Sequence, residues 1–503
     1  MTSPLCDALV APLARRTTPV LFDVEGRGLS GAELHGKAMA LAAALAGLGL
    51  KPGDRMAVQI DKSPRALALY LAALSAGVVF LPLNTAYTAG EVDYFVGNAE
   101  AALLVGDPSR AESLAPVAAR HGARFETLDA AGEGSLTELA RLAGPSFTPV
   151  ARDAEDLAAI LYTSGTTGRS KGAMLSQSNL LSNAEVLVQE WRFTEKDVLL
   201  HALPIFHTHG LFVAINVVLR SGGSMIFLPG FKVDQVIAAL PRATSMMGVP
   251  TFYTRLLDDP RFDRDLVAHM RLFTSGSAPL LAETHVQFEE RTGHRILERY
   301  GMTETNMSTS NPYDGARKPG TVGRPLPGVE LKITDPVTGE DLPQGEPGMI
   351  EVRGPNVFKG YWQMSEKTRE ELREDGFFIT GDIGVIDPDG YVSIVGRQKD
   401  LIITGGYNVY PKEIELVLDE QPGVLESAVI GVPHPDFGEA VVGVIVPRPG
   451  AEVDGAALEA AMAQSLARFK QPKHIAIVPE LPRNTMGKVQ KNLLRQDFAS
   501  LFA

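Results

Sequence analysis

A chain of 503 residues allows roughly three folding units at about 150 residues each, and 45% hydrophobic with 21% charged residues is the composition of a packed globular protein, not a disordered one. Lys and Arg number 47 against 60 Asp and Glu, a net charge of −13. An acidic average surface excludes a general nucleic-acid binder, which needs a basic face for phosphate, and leaves room for a local basic pocket that holds a nucleotide.

The single cysteine, Cys6, excludes an internal disulfide framework and a cysteine metal cluster, and makes a reducing compartment the default. No apolar run is long enough to cross a bilayer; the nearest, from Leu67 to Leu83, is broken by Ser75, Gly77 and Pro82. The N-terminus lacks a secretory pattern, and Arg15-Arg16 is followed by two threonines and a proline where an export signal needs an apolar core. A cytoplasmic protein with neither a membrane nor a nucleic acid as partner is expected.

Along the chain, Leu and Ala at helical spacing predict a helix over 31–49, with Gly49 in its last turn, and Arg55 to Ile60 reads as a strand. Arg65 to Ser75 follows as helix, then Val78 to Leu83 and Leu103 to Val105 as strands. Further strands are expected at Val198 to Leu203, Ser224 to Leu228, Ser245 to Val249 and Leu272 to Thr274. Helices between short apolar strands predict α/β layers with a parallel sheet. After about Gly320 the texture changes: Glu330 to Ile333, Gly348 to Arg353, Gly376 to Thr380 and Gly390 to Val395 are short segments split by Gly, Pro and Asp, a β-rich and antiparallel pattern. Beyond Arg397 helix and strand alternate again, with helices at Pro411 to Leu418 and Gly455 to Ala467 and strands at Val424 to Val432 and Ala440 to Val446. The expected architecture is α/β, with a large N-terminal domain of α/β layers plus the β-rich module (1–398) and a small α/β domain (399–503). The polar turn Gly396 to Asp400 is the joint.

Chemistry concentrates in five segments. Leu161-Tyr-Thr-Ser-Gly-Thr-Thr-Gly-Arg-Ser-Lys-Gly-Ala173 runs from a strand end into small residues, hydroxyls and two cations. Small residues let backbone N–H groups approach phosphate oxygens, and Lys171 adds charge. The segment fails the P-loop pattern at Ser170 and Gly172, and no dinucleotide fingerprint of three glycines occurs elsewhere. Tyr300-Gly-Met-Thr-Glu304 offers a flat ring, a hydroxyl and a carboxylate. Thr380-Gly-Asp382 puts a carboxylate at an expected tight turn, suited to ribose hydroxyls, and Gly396-Arg397-Gln-Lys-Asp400 supplies a guanidinium. Pro482-Arg-Asn-Thr-Met-Gly-Lys488 ends in a lysine on a glycine turn.

Over nearly its whole length, and in the order of these segments, the chain resembles the adenylate-forming superfamily of acyl-CoA synthetases, luciferases and peptide-synthetase adenylation domains. The resemblance implies an ATP-dependent acid–thiol ligase with Mg²⁺ on the nucleotide and CoA as co-substrate. It implies that Thr163, Ser164, Gly165, Thr166, Thr167, Gly168 and Lys171 hold the β- and γ-phosphates. Gly276, Ser277, Ala278, Pro279, Glu298, Tyr300, Gly301 and Met302 would form the adenine side, Tyr300 by stacking. Thr303 would touch the α-phosphate, Glu304 would hold Mg²⁺, and Asp382 and Arg397 would bind the ribose. Lys488 would be the catalytic lysine of a mobile lid hinged at Lys399, with Gly405, Gly406 and Tyr407 along a pantetheine tunnel. Met486 departs from the pattern, which usually has a small residue there. Enzymes of this family are often switched off by acetylation of the matching lysine, so an acetyltransferase and a deacetylase acting on Lys488 are implied partners.

For the acid, the resemblance points to a pocket with His207, which would also serve in catalysis, Thr251 to Arg255, Ser275 to Ser277 and Asn306–Met307. Arg299 stands out, because a buried unpaired charge costs several kcal/mol and is a penalty for an apolar acid. A second carboxylate on the substrate would turn that penalty into a bidentate ion pair. The run Glu298-Arg299-Tyr-Gly-Met-Thr-Glu-Thr-Asn306 closely resembles malonyl-CoA synthetases, so malonate, with methylmalonate tolerated, is the expected substrate and Arg255 a second candidate for its distal carboxylate. The competing readings are an Arg299 paired with Glu290 or Glu298 and a synthetase for a monocarboxylic acid, short- or medium-chain or aryl. His209 and His434 read as packing or loop histidines, and Lys470 and Lys473 as a solvated face. With about fifteen residues after Lys488 the chain has no room for a carrier domain, which disfavours a peptide-synthetase module.

Overall fold

In the computed structural model, which describes residues 3–163, 170–405, 407–483 and 488–502, the helix Pro64–Ala76 is framed by its own sequence. The Ser63 side chain accepts from the Ala66 N–H, a proline occupies the first turn, and Gly77 closes the helix at φ +69°. Every residue from Ala66 to Ala76 is buried, as an all-round apolar helix must be. Tyr70 packs edge-on to Phe80 of strand Val79–Pro82 at 5.4 Å and bonds to Asn216 of helix Asn216–Ser221 at 3.2 Å.

Two units are distinguished by their internal contacts, one of Met1–Glu330 with Val352–Phe378 and one of Leu331–Glu351 with Ile379–Ala503. The larger holds a six-stranded sheet in the order Arg124–Thr127, Leu103–Gly106, Arg55–Gln59, Val79–Pro82, Leu157–Thr163, Lys171–Ser176. Its pairings are parallel except the last, an antiparallel pair in which Thr163 faces Lys171. The phosphate segment therefore joins two hairpin strands, with Lys171 in the second of them. A nine-stranded sheet runs Arg324–Pro325, Asn306–Ser310, Leu297–Met302, Leu272–Ser275, Ser245–Gly248, Val198–His201, Ser224–Phe227, Pro19–Phe22, Gly28–Ser30. The six strands from Leu297–Met302 to Pro19–Phe22 are parallel. Aromatic and aliphatic side chains including Tyr253, Phe262, Phe273 and Phe288 fill the layer against this sheet.

The predicted elements of this unit are found within a few residues of their expected ends. Helix Gly31–Gly47 stops short of Gly49, which lies beyond it at φ +89°. Its start is fixed by a capping box between Ser30 and Glu33.

The smaller unit contains most of a four-stranded sheet, Glu330–Thr334, Gly348–Arg353, Phe378–Ile386 and Val392–Arg397, the last two strands antiparallel. Here one expectation fails. Thr380-Gly381-Asp382 is not a tight turn but the middle of the Phe378–Ile386 strand, with Asp382 opposite Arg397. Gly381, at φ +73°, gives the segment its turn-like look. A five-stranded sheet follows, built on Val424–His434 and Gly438–Pro447 and flanked by helices Pro411–Asp419, Gly455–Ser465 and Lys491–Asp497. Among the described residues no helix is long and apolar enough to cross a membrane.

Candidate active site

The strands Leu297–Met302, Leu272–Ser275, Ser245–Gly248 and Val198–His201 are neighbours and parallel, so the segments that leave their carboxyl ends share one edge of the sheet. That edge is where open parallel sheets bind ligands. It collects Gly276 to Pro279 after the second strand and the turn Thr303 to Thr305 after the first. The helix Pro250–Leu257 follows the third strand, and the segment carrying His207 and His209 follows the fourth. Gly301 is required by this layout, because a Cβ there would lie 1.7 Å from the Asn306 carbonyl oxygen.

Arg299 is buried, 3% exposed, with its guanidinium against the Gly276 backbone; a Cβ on Gly276 would sit 2.3 Å from Nη1. Its Nε and Nη2 have no hydrogen-bond partner among the described residues. Burial pushes the group down to about 9, so it is charged at neutral pH. Alternation along the strand sends Glu298 to the other face, where its carboxylate is 3.5 Å from His285 and burial raises its pKa. Arg299 thus has no ion pair with Glu298, and Glu298 stands apart from the other predicted nucleotide residues. His209, first residue of the π-helical turn His209–Ile215, is buried beside Arg299, and its Nδ1 is 3.4 Å from the Ser277 hydroxyl. Burial, then the Arg299 charge, hold His209 far below the usual imidazole range, so it is neutral. His207 is half-buried beside Phe206. Arg255 is exposed on helix Pro250–Leu257, whereas Tyr253 of the same helix is buried and feels the Arg299 charge.

A second cluster gathers around Glu304, which is 4% exposed and whose pKa burial raises. The Tyr361 hydroxyl lies 3.0 Å from Glu304 and 2.6 Å from Glu371, and Lys171 Nζ donates to Tyr361 at 3.1 Å and to both Glu371 oxygens at 3.0 Å. Two residues predicted for phosphate and metal are therefore joined through a phenol and a carboxylate that the sequence did not single out. Among the described residues no three His, Cys, Asp or Glu side chains form a metal-binding group. One buried carboxylate suits a Mg²⁺ that is bound mainly by substrate phosphates and water. Hydrogen bonds to charged groups are worth about 1.5–3 kcal/mol, so Tyr361→Phe is expected to lower kcat/KM for ATP by about tenfold or more, with the KM for the acid unchanged in steady-state assays.

A family model for the AMP-binding enzymes matches residues 12–362, and one for their C-terminal domain matches residues 413–488. The chain belongs to the AMP-binding enzymes. It is 35% identical to a malonate–CoA ligase of Arabidopsis thaliana over 488 residues, covering 90% of this chain and 79% of the relative. It is 37% identical to a feruloyl-CoA synthase of Amycolatopsis sp over 479 residues, 94% of each. The crystal structure of ATP-bound MatB from Rhodopseudomonas palustris superimposes with a TM-score of 0.98 at 58% identity, over 100% of both chains.

Within the smaller unit of this AMP-binding enzyme the predicted ribose residues meet: Arg397 Nε is 2.7 Å from the buried Asp382 carboxylate. Lys399 is exposed in the turn Gln398–Asp400, with partial desolvation lowering its pKa, and Asp400 is paired to Arg495. Gly405 is in a turn, and Tyr407 is exposed and stacked on Phe469 at 4.7 Å. Lys488 is exposed. Ser164, Gly165, Thr166, Thr167, Gly168, Gly406 and Met486 lie outside the described residues. In the larger unit, Tyr300, Met302, Thr303 and Ala278 are half-buried and Pro279 is exposed.

Sequence reasoning missed Tyr361 and Glu371. Gly360-Tyr361 carried the one usable signal, since Gly360 adopts φ +106° and closes on Thr368, and so fixes the ring's approach.

Proposed function

We propose that the chain is an ATP-dependent malonyl-CoA synthetase. It would join malonate to the α-phosphorus of ATP, expel pyrophosphate, and pass the acyl group from AMP to the CoA thiol. The observation that carries this reading is the buried Arg299 guanidinium with two unpartnered nitrogens, Nε and Nη2. One carboxylate of malonate is spent in the reaction, and the second remains anionic and needs a cation. Bidentate pairing with a guanidinium meets that need at little extra desolvation cost, because the cation is already buried. Malonate–CoA ligases of Arabidopsis thaliana and Mus musculus, each 35% identical, support the same substrate.

In the proposed mechanism Tyr300 and the Gly276–Pro279 segment hold the adenine, and Asp382 and Arg397 the ribose. Lys171 and the 163–168 segment hold the terminal phosphates. Thr303 and Lys488 stabilise charge as the acid oxygen bonds to phosphorus and the pyrophosphate oxygen departs. Mg²⁺, bound by Glu304 and the phosphates, would add positive charge against the leaving group. Lys399 is the proposed pivot of residues 399–503, and Gly405, Gly406 and Tyr407 the proposed path for pantetheine. His207 and Arg255 remain proposed contacts of the acid, and acetylation of Lys488 a proposed control in a cytoplasmic enzyme.

The 37% identity to feruloyl-CoA synthase favours a second reading, an aryl monocarboxylate. A panel of malonate, methylmalonate, succinate, butyrate, benzoate and ferulate, assayed for CoA thioester formation, separates the two. Malonate is expected to lead, with methylmalonate within the factor that one methyl brings, about 1–3 kcal/mol. A preference for ferulate or benzoate over malonate would sink the diacid reading.

A further inference from the structure

Lys62 is a buried cation that this mechanism leaves unused. It lies just before helix Pro64–Ala76, is 8% exposed, and has no acidic partner among the described residues. Lysines are rarely buried without a counter-charge. Its Nζ is 2.8 Å from His201 Nδ1, 2.8 Å from the His201 carbonyl and 3.0 Å from the Leu203 carbonyl, and lies 4.3 Å from the centre of the Phe227 ring. His201 Nε2 is 2.8 Å from the Gly210 carbonyl.

Hydrogen counting fixes the charge of this pair. Three of the contacts end on carbonyl oxygens, which only accept, and each consumes one N–H. The contact between the two nitrogens needs a fourth hydrogen. A neutral amine and a neutral imidazole carry three between them, so the pair holds one extra proton and one positive charge. Burial pushes both groups downward, and the four hydrogen bonds oppose that push.

What the pair grips is the segment leaving strand Val198–His201. It turns back so tightly that a Cβ on Gly210 would lie 1.9 Å from the Pro204 carbonyl oxygen, and it then enters the π-helical turn that begins at His209. Both ends of the bend, Leu203 and Gly210, are tied to the pair. His209 in turn meets Ser277 and Arg299. A buried charge of this kind is a poor source of stability compared with an apolar side chain of the same volume.

We propose that Lys62 and His201 are positioning residues for acid binding: their shared proton locks the 202–210 bend and so holds His209 against Ser277 and Arg299. The proposal rests on the reading that the acid binds beside Arg299. Steady-state kinetics of Lys62→Met, His201→Gln and the double variant test it. His201→Gln keeps an N–H for the Gly210 carbonyl and removes the acceptor for Lys62. Each single variant is expected to raise the KM for malonate about tenfold while the KM for ATP stays within about twofold, and the double variant to be no worse than the more affected single, as for groups acting as one unit. A purely structural role would lower thermal stability and the active fraction, hence kcat, without that split. An unchanged malonate KM, equal rises for both substrates, or effects that multiply in the double variant would overturn the proposal. Should Lys62→Met fail to fold, His201→Gln decides by the same split. If the wild-type enzyme prefers another acid, the KM is read on that acid, so that failure of the malonate reading and failure of the clamp are told apart.

Discussion

Arg299→Ala is expected to abolish malonate adenylation and to leave that of butyrate intact or faster. Truncating one partner of a buried hydrogen-bonded charge pair costs about 2–5 kcal/mol, a loss of roughly 30- to 4,000-fold in kcat/KM for malonate at tenfold per 1.4 kcal/mol. For a monocarboxylate the sign reverses. Its tail has nothing to offer two orphaned nitrogens, so removing them removes a desolvation penalty. The same argument predicts that the variant is no less stable than wild type, because it loses a buried cation without breaking an ion pair. Acid-dependent pyrophosphate release with both substrates is the assay, and equal losses on malonate and butyrate would remove Arg299 from specificity.

Arg299 was legible because its anomaly is local: a cation inside an apolar strand beside a Tyr-Gly-Met-Thr-Glu run. Asp382 and Arg397 were both picked out and do meet, but the local structure was misread, since Thr-Gly-Asp looks like a turn wherever it stands, and only the strand partner reveals otherwise. Glu304 and Lys171 were both picked out, yet what joins them was not. Tyr361 is 190 residues from Lys171, and Glu371 is 200 residues from it. No window of sequence relates groups so far apart. His209 was read as a packing or loop histidine, and it is buried. A lone histidine with no ligand spacing reads as packing, and its place beside Arg299 follows from strand order, which periodicity does not encode. Lys62 gave no signal at all: its sequence neighbours are a turn, and its three partners are two carbonyls and a ring nitrogen on another strand's end.

Lys488→Ala should divide the two half-reactions. Formation of malonyl-adenylate brings a nucleophilic oxygen, a phosphorus with three charged neighbours and a departing pyrophosphate together, and a positioned ammonium offsets the charge that accumulates there. Removing one such donor typically costs about 10²–10³-fold in rate. Attack of the CoA thiol on preformed malonyl-adenylate breaks an acyl–phosphate bond and develops its charge on the carbonyl oxygen and AMP, away from the site that the lysine serves. Thioester formation from supplied malonyl-adenylate should therefore remain within about threefold of wild type. Misfolding is an unsuitable explanation for such a split, and the structure argues against misfolding independently. Lys488 is exposed, while the chain around it is pinned by backbone pairing of Arg483 with Val489, by the Gln490 N–H donating to the Pro482 carbonyl at 2.8 Å, and by Lys491 paired to Glu415 at 2.5 Å. Those contacts hold the chain on either side of Lys488, and the melting temperature of the variant against wild type checks the fold directly. Loss of both half-reactions to the same extent would mean that Lys488 acts on binding or on the fold, and would return the charge stabilisation at phosphorus to Thr303 and Lys171.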